Sequence, residues 1–303
     1  MIEFLIGVDG GGSGTRARLA RFDHTGHPGQ PATIAEGASG PSGLMHGIPG
    51  AWAAVDAAVA QAFDNAGLPA APRAAIAIGL GLAGVHNKQW AAQFMAANPG
   101  YAVVALESDG HTTVLGAHDG QAGAIIALGT GSVGEVKLAD GRHVEVGGWG
   151  FPAGDEASGA WIGLQAVNHL QQSFDGRLPA NAFADDVAQA CGAGAGKDAA
   201  TREILQQWLA GATQTRYAQL ARVVLQHASS NIDARAILRE AGRQVQRMAA
   251  ALDPTGALPI ALCGGLAAPM RPYLPAEVLD RVVTARGDSA AGALRLILAR
   301  LNN

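Results

Sequence analysis

A glycine-rich loop directly after an apolar run carries the residues whose types and spacing could do chemistry. Asp9-Gly10-Gly11-Gly12-Ser13-Gly14-Thr15 follows the apolar stretch Phe4–Val8. Successive backbone N–H groups in such a turn form an anion-binding concavity, which small residues leave open to phosphate oxygens. Asp9 could hold Mg²⁺ directly or through water, since Mg²⁺ prefers oxygen ligands and keeps several waters. The alternative is an ordinary hairpin, which rarely needs three consecutive glycines after a buried Asp.

A second loop of similar composition lies later in the chain. Gly129-Thr130-Gly131-Ser132 follows the apolar stretch Gly123–Leu128, and Ala127–Gly134 resembles Gly7–Gly14. Such a duplication predicts two similar lobes, which would create a cleft between them.

The elements around these loops also occur twice. The pattern predicts strand-strand-strand-helix-strand-helix-strand, over Phe4–Val8, Thr15–Phe22, Ala32–Glu36, Ala51–Ala66, Ala74–Leu80, Lys88–Ala97 and Ala102–Leu106, with a turn at Asp23–Gln30. The order begins again with strands at Gly123–Leu128, Val133–Leu138 and His143–Val146. A helical region from about Asp155 to Leu252, strands at Leu258–Cys263 and Arg281–Ala285, and a helix at Ser289–Leu301 complete it.

Composition excludes several classes of protein. Of the 303 residues, 49% are hydrophobic and 15% charged, the latter below the roughly 25% of an average soluble protein. The net charge of −4 and the lack of a basic stripe argue against a nucleic-acid partner. No apolar run approaches the ~20 residues of a membrane helix, and the first residues lack the basic flank of a signal peptide. Cys191 and Cys263 are too far apart to suggest a disulfide scaffold or a zinc site. We therefore expect a cytoplasmic protein without a membrane partner.

Other glycine motifs offer competing interpretations. Gly79–Gly84 matches G-x-G-x-x-G after a predicted strand and before a helix, as in a dinucleotide-dependent oxidoreductase. Gly129–Gly134 also matches, but a strand follows it, not a helix. Cys191–Asp198 approaches a P-loop yet lacks its first Gly and its final Ser or Thr, so a flexible link between helices is the better interpretation.

Six segments in order make the chain resemble a known family. They are the Asp9–Thr15 loop, Gly81–Gly84, Ser108–Gly110, Gly129–Ser132, Gly147–Gly150 with Gly154–Ser158, and Cys263–Gly265. Over nearly its whole length the chain resembles N-acetylglucosamine kinases and the ATPase family that they share with activators of benzoyl-CoA reductase and 2-hydroxyacyl-CoA dehydratase. It is especially similar to bacterial amino-sugar kinases, including glucosamine kinase. The resemblance implies an α/β fold of the actin/hexokinase type, with two ribonuclease-H-like lobes and a nucleotide cleft. We place the lobes at 1–115 and 116–303, with a helical insertion at about 155–252.

The resemblance also implies roles for individual residues. Asp109 would be the base that accepts the proton of the sugar hydroxyl, and Asp9 would hold Mg²⁺. Residues implied in ATP binding are Gly10, Gly11, Gly12, Ser13, Gly14 and Thr15 in the first loop, Gly129, Thr130, Gly131 and Ser132 in the second, and Gly264 and Gly265 against the adenosine. Residues implied in sugar binding are Ser42, Gly84, Asp109, Gly148 and Asp155.

Some of these residues have simpler explanations. Asp109 and Asp155 each precede a predicted helix, where Asp is a favoured N-cap. Trp149 could be a core residue, and His24 and His27 lie in a turn rich in Gly and Pro. N-acetylglucosamine kinases typically carry an Asn after the third strand, where this chain has Ser39–Gly43, and eukaryotic members carry one where this chain has Val133. These departures concern the preference for the acyl group of the sugar.

The predicted function is transfer of the γ-phosphate of ATP, with Mg²⁺, to the C6 hydroxyl of N-acetylglucosamine, or alternatively of glucosamine. We expect a homodimer. Three alternatives remain: an activator ATPase with an iron–sulfur cluster held by cysteines of two subunits, the dinucleotide-dependent oxidoreductase, and an actin-like filament protein.

Overall fold

The computed structural model describes residues 1–22, 32–194 and 196–302. The turn predicted at Asp23–Gln30, with His24 and His27, lies outside the described residues. Two compact units divide the chain. The first contains residues 1–123, 136–143 and 284–303, and the second contains 124–135 and 144–283.

The first sheet has the strand order β3-β2-β1-β4-β5. Its strands are β1 (Phe4–Gly10), β2 (Thr15–Arg21), β3 (Thr33–Ser39), β4 (Ile76–Leu82) and β5 (Val103–Glu107), and its helices are α1 (Ile48–Asn65), α2 (Lys88–Ala96) and α3 (Asp109–Ala117). β1 is antiparallel to β2 and parallel to β4, and β4 is parallel to β5. The predicted element order of this half is confirmed.

The second sheet has the order β10-β9-β6-β7-β8. Its strands are β6 (Gly123–Leu128), β7 (Ser132–Lys137), β8 (His143–Gly147), β9 (Ile260–Cys263) and β10 (Val282–Val283). The helices after β8 are α4 (Gly159–Phe174), α5 (Ala182–Ala190), α6 (Ala199–Gly211), α7 (Gln214–His227), α8 (Ile232–Leu252), α9 (Ala267–Met270), α10 (Ala276–Leu279) and α11 (Ser289–Asn302). Read from β8 to β10, the order β8-β7-β6-β9-β10 repeats the order β3-β2-β1-β4-β5 of the first sheet. The strands β6, β9 and β10 are parallel to one another, as β1, β4 and β5 are. The predicted duplication and α/β fold class are confirmed.

The side chains of β1 alternate between the two faces of the first sheet, and helices cover both faces. Phe4, Ile6 and Val8 belong to the apolar cluster that includes residues of α1, whereas Leu5 packs with Leu294 and Ile297 of α11. Successive side chains of a strand point to opposite faces, so a strand covered by helices on both sides is apolar throughout. The predicted lobe limits stay a prediction; the structure adds that the C-terminal helix α11 packs against the first sheet.

Two glycines of the G-x-G-x-x-G motif serve packing inside a strand. Gly79 and Gly81 both lie within β4. A Cβ at Gly79 would lie 2.0 Å from the carbonyl oxygen of Ala293 in α11, and one at Gly81 would lie 1.9 Å from Oγ1 of Thr112 in α3. The motif therefore lets helices approach the sheet and does not form a turn around a pyrophosphate, so the dinucleotide interpretation is wrong.

We expect Gly79→Ala to lower the free energy of unfolding by about 1–3 kcal/mol, the usual cost of overpacking a core. The added methyl group would meet the backbone of α11, which can only yield by moving the helix. Urea unfolding measures the change. Gly211→Ala in α6 is the control, because a Cβ there meets no atom within 4 Å and Ala is the better helix former. Equal stability of Gly79→Ala and the wild type would contradict the close packing of α11 on β4.

Candidate active site

In the first unit, three strand ends bring the candidate residues together. β1, β4 and β5 are parallel, and Asp9, Gly81 and Glu107 are register partners across them. Neighbouring strands are about 4.8 Å apart, so the Cα atoms of Asp9 and Glu107 are separated by about 10 Å. The loop after β1 and Asp109, two residues beyond Glu107, therefore follow the same edge of the sheet. Groups that follow the carboxyl ends of parallel strands are well placed for a shared ligand.

Backbone hydrogen bonds fix the loop after β1. The N–H of Gly11 donates to Gly14 (3.0 Å), and the carbonyl of Gly11 accepts from the N–H groups of Ser42 and Gly43 at 3.1 and 3.0 Å. The N–H of Ala83 donates to Gly10 (2.9 Å), which ties the loop to the turn that contains Gly84. Within the described residues, no acceptor lies in hydrogen-bonding reach of the N–H groups of Gly12 and Ser13. The loop thus directs carbonyl oxygens into the protein and leaves donors for an anion.

Gly10 and Gly11 differ in what would surround a side chain at each position. A Cβ at Gly10 would lie 2.0 Å from Oγ of Ser42 and 2.6 Å from a methyl carbon of Leu82, so packing requires Gly there. A Cβ at Gly11 would meet no atom within 4 Å, and its φ is not positive. Neither packing nor backbone conformation explains Gly11, whereas a ligand that approaches the main chain would.

The side chains of Thr15 and Ser42 hold the loop after β1 in place. Both residues are buried, at 2% and 0% exposure. The Thr15 hydroxyl lies 2.7 Å from the carbonyl oxygen of Gly40 and 2.7 Å from the hydroxyl of Ser42. In this structure the Ser42 hydroxyl is therefore used to hold the loop; its assignment to the sugar stays a prediction.

Asp9 is paired with an arginine that sequence analysis did not single out. The Arg16 guanidinium donates to Oδ2 of Asp9 at 2.6 Å and lies 3.6 Å from Asp288. The hydrogen bond to Asp9 is the main cause that raises the pKa of Arg16. In the described part of the chain, His, Cys, Asp and Glu side chains form no group of three or more that could hold a metal ion. Mg²⁺ in ATP-dependent sites usually needs only one or two carboxylates plus the phosphates of the substrate, and Asp9 fits that demand.

Asp109 occupies the first turn of α3 but is not its N-cap. The cap is Ser108, whose hydroxyl accepts from the N–H of His111 at 3.0 Å. Oδ1 of Asp109 accepts from the N–H of Gly110 at 3.1 Å, and the side chain is half-buried. The capping interpretation of Asp109 is therefore wrong, and its carboxylate lies at the helix N-terminus, where the anion is favoured.

In the second unit, Gly129–Ser132 forms a tight loop between β6 and β7. The carbonyl of Gly129 accepts from the N–H of Gly159 (2.8 Å), and that of Thr130 accepts from the N–H of Ala160 (3.2 Å). The Ser132 hydroxyl donates to the carbonyl of Glu156 at 2.7 Å. As in the first loop, carbonyl oxygens are used by the protein itself, here by the start of α4.

Asp155 lies directly against this loop. Its carboxylate oxygen Oδ2 would be 2.8 Å from a Cβ at Gly131, and the residue is 6% exposed. Its φ of 60° is uncommon for a residue other than Gly. The N-cap of α4 is Ser158, not Asp155, so the capping interpretation is wrong here as well. A buried carboxylate held in a strained backbone conformation is typical of functional sites.

Gly264 and Gly265 follow β9, which is parallel to β6 and pairs with it. Gly264 has a φ of 85°, and a Cβ there would lie 2.4 Å from the carbonyl oxygen of Leu128, so the fold itself requires Gly. A Cβ at Gly265 would meet nothing within 4 Å. Gly265 thus resembles Gly11: its lack of a side chain leaves open surface beside a strand end.

Gly147–Gly150 forms a turn whose three glycines all have positive φ. The N–H of Gly148 donates to the carbonyl of Ser132 at 3.2 Å, which attaches the turn to the second loop. Trp149 is 86% exposed, so the interpretation as a core residue is wrong. The indole of Trp149 therefore offers a flat apolar surface to solvent between two glycines.

The two cysteines are free thiols, one buried and one partly buried. Burial raises the pKa of the Cys191 thiol to about 11, and burial also raises that of Cys263. Cys191 ends α5 as its C-cap and Cys263 ends β9, so the two thiols follow different elements. In the P-loop-like segment, the ammonium of Lys197 donates to the carbonyl of Ser173 at 2.6 Å, a structural contact.

Comparison with known proteins identifies the family. A model of the BadF/BadG/BcrA/BcrD ATPase family matches residues 6–293, and the chain belongs to this family. A glucosamine kinase of Vibrio cholerae serotype O1 is 31% identical over 296 residues, which cover 97% of this chain and 95% of that protein. An N-acetylmuramic acid/N-acetylglucosamine kinase of Clostridium acetobutylicum is 26% identical over 246 residues, or 80% of this chain and 77% of that protein. A solved structure from Chromobacterium violaceum, provisionally named an N-acetylglucosamine kinase, is 47% identical, covers 98% of this chain and 99% of its own, and has a TM-score of 0.84.

The resemblance to this family is thus confirmed, and ATP is the nucleotide that the family name implies. None of the helices in the described part of the chain combines the length and apolar character needed to cross a bilayer. Sequence reasoning missed Arg16 and Gln214, the partners of Asp9 and Asp155. Arg16 could have been noticed, since it follows the first loop directly, whereas nothing in the sequence links Gln214 to a residue so far away.

Proposed function

We propose that the chain is an ATP-dependent amino-sugar kinase that transfers the γ-phosphate of ATP to the C6 hydroxyl of N-acetylglucosamine, with glucosamine as the alternative acceptor. The observation that carries the proposal lies in the first unit. One sheet edge presents the carboxylate of Asp9, a glycine loop whose Gly12 and Ser13 N–H groups have no acceptor among the described residues, and Asp109, two residues beyond the strand end at Glu107. The names of the relatives support an amino sugar as acceptor.

Each residue then has a defined task. The N–H groups of Gly12 and Ser13 would bind phosphate oxygens, and Asp9 would hold Mg²⁺, which neutralises part of the phosphate charge. Asp109 would accept the proton of the sugar hydroxyl while its oxygen bonds to the γ-phosphorus and the bond from that phosphorus to ADP breaks. Phosphoryl transfer asks the protein mainly for positioning and charge stabilisation.

Residues of the second unit have tasks in the same proposal. Gly129–Ser132 would be the second phosphate loop, and the open position at Gly265 would lie against the adenosine. Asp155 would accept hydrogen bonds from sugar hydroxyls, and Gly148 would also contact the sugar. Gly84 in the first unit would contact the sugar through its backbone. The homodimer and the cytoplasmic location stay predictions. Light scattering in solution would test the homodimer.

We expect ADP release to depend on an added amino sugar. A coupled assay with Mg-ATP would compare N-acetylglucosamine, glucosamine, N-acetylmannosamine and glucose. The largest kcat/KM is expected for N-acetylglucosamine, followed by glucosamine, because the resemblance is to kinases of these sugars. A rate that stays at the no-sugar background for all four would contradict the proposed function. Asp109→Asn is the control for contaminating kinases.

A further inference from the structure

One of the inserted helices of the second unit, α7, packs against the residues around Asp155. This helix packs closely on α4: a Cβ at Gly163 would lie 1.9 Å from the carbonyl oxygen of Tyr217, and one at Gly159 would lie 3.2 Å from Cβ of Ala218. The ring of Tyr217 lies 5.0 Å from that of Phe151, in the segment before Asp155. The first turns of α7 are therefore fixed against α4 and against the segment that precedes Asp155.

The first residue of α7 contacts Asp155 directly. Thr213 is the N-cap, and the next side chain, Gln214, donates from Nε2 to Oδ2 of Asp155 at 2.6 Å. Asp155 is 6% exposed. A buried carboxylate that loses its hydrogen-bond donor carries a large desolvation cost. Loss of the Gln214 amide would therefore destabilise the present orientation of the Asp155 side chain.

The chemistry of the donor is informative. An Arg or Lys at this position would neutralise the carboxylate, whereas a neutral amide fixes one oxygen and leaves the negative charge in place. Because Oδ2 faces both the amide and Gly131, the amide sets which way the other oxygen points. A site built to hydrogen-bond a substrate hydroxyl rejects analogues that lack it, and a carboxylate with a fixed orientation is such an acceptor.

We propose that Gln214 is a positioning residue that orients the Asp155 carboxylate toward the sugar, so that the helical insertion helps to set affinity for the acceptor. This inference rests on the proposed function.

The first test is Gln214→Leu, which removes the amide at similar size. Hydrogen bonds to charged groups are worth enough for KM of the sugar to rise on the order of ten- to a hundredfold. KM of ATP should change less than threefold, because among the described residues the amide donates to Asp155 and to no residue of the two phosphate loops. Gln219→Leu is the matched control, since Gln219 lies on the same helix and is exposed. Sugar KM values within twofold of the control would overturn the inference.

Gln214→Glu gives a readout that a purely structural role would not produce. The glutamate introduced by Gln214→Glu can donate to Asp155 only in its protonated form, so the hydrogen bond is lost and a like charge is added as the new carboxyl loses its proton. Relative to the wild type at each pH, the sugar KM of this variant should rise steadily between pH 5.5 and 8.5. Gln219→Glu should show no such trend, and a flat ratio for Gln214→Glu would also overturn the inference.

A thermal-shift measurement with sugar alone distinguishes failure of the proposed function from failure of the positioning role of Gln214. If the wild type is stabilised by sugar and phosphorylates it, the proposed function stands whatever Gln214 does. Loss of the sugar-induced shift in Gln214→Leu, with the ATP-induced shift retained, supports the positioning role. Equal sugar-induced shifts in Gln214→Leu and Gln219→Leu contradict it.

Discussion

Asp109→Asn is expected to lower kcat by about 10²- to 10⁴-fold with little change in either KM. A positioned general base contributes a factor of that order, which corresponds to about 3–5 kcal/mol of barrier at 1.36 kcal/mol per decade. The amide keeps the shape of the side chain, and its oxygen can still accept the hydrogen bond from the N–H of Gly110 that Oδ1 accepts at 3.1 Å. What it loses is the ability to take the proton as the new phosphorus–oxygen bond forms. A fall in kcat with KM retained marks an interaction made only in the transition state.

Ser108→Ala separates this chemical role from helix capping. The Ser108 hydroxyl is the N-cap of α3, so its removal should cost about 1 kcal/mol of stability, while Asp109→Asn should leave the unfolding midpoint in urea almost unchanged. Steady-state kinetics and urea unfolding of both variants measure the two effects. An Asp109→Asn enzyme that keeps more than a tenth of wild-type kcat would remove Asp109 from the catalytic role.

The sequence predicts the strands and helices well because their patterns are local. The apolar run Phe4–Val8 predicts β1, which ends at Gly10 within the glycine-rich loop. The similarity of Ala127–Gly134 to Gly7–Gly14 predicts the second sheet, where β6 ends at Leu128. Gly79 shows where a local pattern misleads. Its motif matches a dinucleotide-binding turn, yet α11, more than 200 residues later, needs the space.

The parts of the site that the sequence does not predict depend on distant partners. Asp155 precedes a helix as a cap would, but Ser158 takes that place and Gln214 binds the carboxylate. Trp149 is as apolar as a core residue, and only the turn of glycines around it brings it to the surface. Burial and side-chain pairing arise from tertiary packing, which spacing along one chain does not encode.

Gly11→Val is expected to abolish tight ATP binding while the fold remains intact. The side chain would fill the open space in front of the N–H groups that we assign to phosphate. Hydrogen bonds to charged groups are worth about 1.5–3 kcal/mol each, so loss of two would weaken ATP binding roughly 100-fold or more, at 1.4 kcal/mol per tenfold. Stability should change little, because a Cβ at Gly11 meets no atom within 4 Å and the backbone there does not require positive φ.

The matched control is Gly211→Val, another glycine whose Cβ would meet nothing within 4 Å, but one at the end of α6. Titration with a fluorescent ATP analogue should show wild-type affinity for this variant and none in the same range for Gly11→Val. Gly10→Ala provides the contrasting case: its Cβ would lie 2.0 Å from Oγ of Ser42, so it should lose stability as well as ATP binding. Normal nucleotide affinity in Gly11→Val would mean that the loop after β1 is only a hairpin, since no feature of the chain itself then depends on a glycine at that position.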